Sequence, residues 1–108
     1  MSGVGLHQTN AIMLDNKRIR QIAEQVATAN LSSANFTSIR SSTTTDSEGH
    51  EALRITIIIK PGAEAKIKGD AALDTLVQIQ DRLRKEGEER LPIVEYATKE
   101  ELSRRGNS

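Results

Sequence analysis

Ala52-Leu53-Arg54-Ile55-Thr56-Ile57-Ile58-Ile59-Lys60 is the most apolar run in the chain, and it alternates with a period of two. Leu53, Ile55, Ile57 and Ile59 point one way, and Arg54, Thr56, Ile58 and Lys60 the other. That alternation marks a strand with one buried face and one mostly wet face. Its β-branched side chains pack well on a pleated surface. The isoleucine face therefore belongs in a core. An Ile57→Asp substitution there is expected to cost about 3 kcal/mol or more, as an unpaired buried charge.

Upstream of this strand, Thr45-Asp46-Ser47-Glu48-Gly49-His50 is a turn-forming cluster. Before it, residues 36–44 are β-prone but dominated by Ser and Thr, which predicts an edge strand and a hairpin with the isoleucine strand. Phe36 and Ile39, three apart, fall on opposite faces of a regular strand. Further back, Asp15 is placed to cap a helix, with Leu14 and Ile19 in hydrophobic-staple spacing. Ile19, Ile22, Ala23, Val26 and Ala27 then make one apolar stripe. Residues 1–13 show no period and read as a flexible segment; Gly3-Val4-Gly5 has no strand before it and is no phosphate loop.

Downstream, Pro61-Gly62 closes the strand and residues 63–69 form a loop. Asp70 is placed to cap a second helix. Ala72, Leu76, Ile79 and Leu83 supply its stripe, Leu73 and Val77 widen it, and Gly87 terminates it in the left-handed conformation. Residues 91–97 make a third strand. Thr98-Lys99-Glu100-Glu101 is a capping box opening a short helix to about Arg104, and residues 105–108 are a tail. The expected fold class is α+β: one small domain over residues 14–104, in the order α-β-β-α-β-(α), with a three-stranded mixed sheet and two helices packed on one face. A right-handed crossover makes the last strand parallel to the isoleucine strand.

Composition narrows the function classes. The chain has 108 residues, enough for one domain that buries roughly 60–65% of its unfolded surface. Fifteen basic residues balance fifteen acidic ones, so no overall positive field draws in a nucleic acid or a membrane. There is no cysteine, which excludes disulfides, thiolate zinc sites and a cysteine nucleophile. No apolar run reaches membrane-spanning length, and the N-terminus lacks a signal peptide's pattern, so a soluble cytoplasmic protein is expected. One Phe, one Tyr and no Trp leave few rings for base stacking.

No catalytic or metal-binding constellation stands in the sequence, and neither enzyme activity nor a cofactor is expected. His7 and His50 have no acid, base or nucleophile at a useful spacing. Glu86, Glu88, Glu89, Glu100 and Glu101 lie near Arg90 or a helix N-terminus, where acids are simply stabilising. Two surfaces remain. Arg54, Thr56, Ile58 and Lys60 lie on the sheet face that neither long helix covers, a candidate docking face for a protein partner or a second copy. Lys60, Lys66 and Lys68, with Glu64 among them, make the loop before the second helix a candidate anion or phosphate site.

The element order with its parallel crossover pair resembles a type II KH-like arrangement, including small ribosome-assembly factors of that kind. The likeness spans residues 15–97 at the level of element order. It implies nucleic-acid binding, for which the Lys60–Lys68 loop is the natural place. That family's Gly-x-x-Gly between two helices has no counterpart, since Gly69-Asp70-Ala71-Ala72 lacks the second glycine, and no residue is carried over. The expectation is a small non-catalytic interaction module, homodimeric or docked on a protein partner through the open sheet face. A KH-like nucleic-acid-binding domain is the alternative.

Overall fold

The computed structural model describes residues 14–67 and 69–106. Its elements are α1 (Asn16–Leu31), β1 (Phe36–Thr45), β2 (Glu51–Ile59), a 3-10 turn (Ala63–Lys66), α2 (Gly69–Lys85), β3 (Leu91–Thr98) and α3 (Lys99–Gly106). The three strands form one mixed sheet in the order β1-β2-β3. β1 is antiparallel to β2, and β3 is parallel to it through the α2 crossover. The fold is thus α+β, as the hydrophobic periods implied.

The core lies between the sheet and the two long helices. Leu53, Ile55, Ile57 and Ile59 are buried against Ile19, Ile22, Ala23, Val26 and Ala27 of α1 and Ile79 and Leu83 of α2. Asp15 caps α1 by accepting a hydrogen bond from the Arg18 N–H at 2.9 Å. The hairpin turn is held by Asp46, whose Oδ1 accepts from the N–H groups of Glu48 and His50, both at 2.9 Å. Those donors, the His50 N–H first, hold the Asp46 carboxyl below its ordinary range. Gly49 in that turn has φ of 87°, which a side chain disfavours.

Three local expectations differ from the structure. Phe36 and Ile39 are both buried in the one core. The register shifts between Phe36 and Ser38, and the extra residue of this bulge returns both side chains to the same face. Asp70 is not a cap but lies inside the first turn of α2, which begins at Gly69. The buried residues of α2 are Thr75, Ile79 and Leu83, while Leu73 and Val77 are 59% and 52% exposed. The side of α2 that faces α1 is marked by two contacts: the Arg82 guanidinium donates to Gln25, and the Asn30 amide donates to Gln78. Thr75 tolerates full burial because its hydroxyl donates to the Ala71 carbonyl at 2.7 Å.

Candidate functional site

The face opposite the long helices carries Ser38, Arg40 and Ser42 from β1, Ala52, Arg54, Thr56 and Ile58 from β2, and Leu91, Ile93, Glu95 and Ala97 from β3, by register. The sequence leaves this face bare. The structure covers one end of it. α3 follows β3 directly, and its Arg105 guanidinium reaches back to Glu95 at 3.4 Å, so α3 returns across the face. Ile58 and Ala97 are 1% and 0% exposed there. Ile58 is therefore a second-core residue and no part of a free docking surface. Thr56 is buried too, its hydroxyl donating to Glu95 at 2.8 Å. Of the four residues proposed for the partner face, Arg54 and Lys60 remain exposed, and Arg54 stands 4.0 Å from Glu95.

The cover is built as the capping box requires. The Thr98 N–H donates to Glu101 Oε1 at 2.8 Å, and the Glu101 N–H donates back to Thr98 Oγ1 at 3.2 Å. The bond from the Thr98 N–H is the chief reason the Glu101 carboxyl sits below its ordinary range. α3 runs on to Gly106, past the Arg104 at which the sequence pattern ends it. The segment expected as a tail thus begins inside a helix. A cleft of about 500 Å³ lies between this helix and the turn after β2, lined by residues that include Ile59, Pro61, Glu64, Lys99 and Arg104.

Lys60 and Lys66 share a depression of about 210 Å³ with Asn35 and Ala34. The third residue of the candidate anion site, Lys68, lies outside the described residues, as does the N-terminal segment 1–13. Phe36 is buried, and Tyr96 packs against the core, where burial raises its hydroxyl above the usual range. Neither ring is presented for stacking.

The carboxylates that drew attention in sequence have structural partners. Glu86 pairs with Arg18, whose Nε donates at 2.8 Å, and that bond holds the Glu86 carboxyl low. Glu88 is 2% exposed. Its two oxygens accept from the Leu14 N–H, the Arg90 N–H and the Arg90 guanidinium at 2.8–2.9 Å. Burial pushes the Glu88 carboxyl up, but the Arg90 side chain and these N–H groups together hold it below the ordinary range. Among the described residues, no group of three or more His, Cys, Asp or Glu could hold a metal ion. No helix there is long and apolar enough to cross a membrane.

The surface that sequence reasoning missed is the outer edge of β3. Among the described residues nothing pairs with it. Among the described residues the exposed large hydrophobic side chains are Leu73, Val77, Leu91 and Ile93, two on β3 itself and two on the helix that packs over it. Leu91 and Ile93 stand beside Ala52 and Arg54 on the sheet face away from the long helices. Leu73 and Val77 lie on the outer side of α2, turned away from α1. The other edge, β1, is bulged and built of Ser, Thr and Arg, the composition that discourages pairing. One signal was available in sequence: the α2 stripe from Ala72 to Leu83 is wider than the roughly 100° that a helix commonly buries.

Scans of this chain against protein-family models, curated proteins and solved structures found no match.

Proposed function

We propose that this chain is a non-catalytic protein-interaction module whose docking surface is the free edge of β3 with Leu73, Val77, Leu91 and Ile93. One observation carries it: among the described residues, the exposed large apolar side chains stand on β3 and on the helix packed over it, whereas the opposite edge, β1, is bulged and polar. A partner added along this edge pairs with the main-chain groups that β3 leaves free, Pro92 apart, and covers apolar side chains on both sides of the sheet. Each is about half exposed, so completing its burial is worth ~1 kcal/mol, and the set contributes ~3–6 kcal/mol. The non-catalytic part is supported by the acids. Glu86 and Glu88, two of the acids clustered after α2, are taken up in ion pairs with Arg18 and Arg90.

Compared with the expectation from sequence, the docking surface moves from the sheet face to its edge, because α3 occupies part of the face. The nucleic-acid alternative has less behind it: Lys60 and Lys66 share one shallow depression, and neither aromatic ring is free to stack. The test is site-specific photo-crosslinking in cells, with the reactive side chain placed at Val77, at Ile93, or at Arg20 on the outer side of α1 as control. Protein adducts at Val77 and Ile93 but not at Arg20 are expected. Equal adduct formation at all three positions, or none at the β3 edge, refutes the proposal.

A further inference from the structure

We infer that the occupant of the β3 edge is a second copy of this chain, paired antiparallel through β3 about a two-fold axis so that the two sheets become continuous. This rests on the interaction-module reading and specifies its partner. The first support is the charge order along the outer side of α2. Asp70, Leu73, Val77 and Arg84 are spaced three, four and seven residues apart and so share one side of the helix. That side carries an acid near its start, apolar residues at its middle and a base near its end. A two-fold axis sets α2 antiparallel to its own copy. Asp70 and Arg84 stand seven residues either side of Val77, so Val77 meets the partner's Val77, and Asp70 meets the partner's Arg84 twice over.

The second support is that helix and strand share one axis. Val77 is the middle residue of α2 (Gly69–Lys85), and the middle of the eight-residue β3 (Leu91–Thr98) falls between Val94 and Glu95. α2 crosses back over the sheet between two parallel strands and so runs antiparallel to β3. The proposed dimer uses one two-fold axis for both elements, passing beside Val94 of β3 and Val77 of α2. Centring on Val94 also keeps Glu95 from facing the partner's Glu95, a like-charge pair that destabilises a ladder. Asp70 and Arg84 have no ion pair with another described residue, so both are available across the axis. Such exposed pairs set orientation and register more than affinity, and the apolar residues between them supply the adhesion.

Sedimentation equilibrium of the whole chain, from micromolar to submillimolar concentration, tests this. A dimer with a dissociation constant on the order of micromolar is expected. Asp70→Arg and Arg84→Asp should each weaken it about tenfold, the double reversal should recover wild-type association, and Val77→Glu should be monomeric with an unchanged circular dichroism spectrum. A monomer at every concentration, or a dimer indifferent to all these changes, overturns the second-copy inference. Amide exchange of β3 in a monomer then separates the two claims. Fast exchange at its outward N–H groups leaves the edge open to a different protein, so only the dimer fails. Slow exchange means the chain's own residues cover the edge, and the interaction-module reading fails with it.

Discussion

Glu88→Gln keeps the size and shape of a buried side chain while removing its charge. Glu88 joins two elements distant in sequence: it accepts the Leu14 N–H at the entrance to α1 and the N–H and guanidinium of Arg90 at the entrance to β3. The Arg90 guanidinium also donates to the Leu14 carbonyl at 3.2 Å, closing the link. A glutamine offers one oxygen to donors that now meet two, and turns an NH2 group toward the rest. Breaking a buried pair by neutralising one member costs about 3–5 kcal/mol. For a chain of this size the melting temperature should fall by at least about 12 °C. The assay is urea unfolding followed by circular dichroism, wild type against variant, across pH. Because the folded-state pKa of Glu88 is depressed, its stabilisation is fully present above the ordinary Glu value of about 4.3 and is lost as pH falls through the lower folded value. The gap between the two proteins should therefore close in acid. Asp46, Glu86 and Glu101 are also held low, but they titrate in both proteins and drop out of the difference. A gap under about 1 kcal/mol, or one that does not change with pH, refutes the link.

Ile58→Glu should destabilise the fold by about 3 kcal/mol or more, because its 1% exposure leaves no water for the charge, whereas Lys60→Glu, on the same face but exposed, should stay within about 0.5 kcal/mol in the same urea titration. Equal stability of these two variants would show that α3 does not cover Ile58. Thr98→Ala removes the hydroxyl that accepts the Glu101 N–H and should cost about 1 kcal/mol. Amide exchange should then quicken within α3 while β2 keeps its protection, and equal quickening of both would sink the idea of α3 as a separable cover.

The main lines of the fold were legible because they depend on short-range periodicity. The alternation of residues 53–60, the α1 stripe from Ile19 to Ala27 and the Thr98–Glu101 capping box each carry their own signal within a few residues. The sidedness of α2 was not legible. Ile79 and Leu83 are core and Leu73 and Val77 are surface, although all four fit an amphipathic pattern. What separates them is where α1 and the sheet end.

Residue order alone therefore determined the strand, the helices, the hairpin, the parallel crossover and the absence of thiol chemistry, since each follows from local spacing or composition. Tertiary structure alone decided three things. The bulge at Thr37 put Phe36 and Ile39 in one core. The return of α3 onto Glu95 took Ile58 away from solvent. The narrowness of a three-stranded sheet left the β3 edge without a further strand among the described residues. All three turn on contacts between segments far apart in sequence, or on one inserted residue that resets a register. The period of two or of 3.6 names the face a side chain occupies, but not whether anything lies against that face.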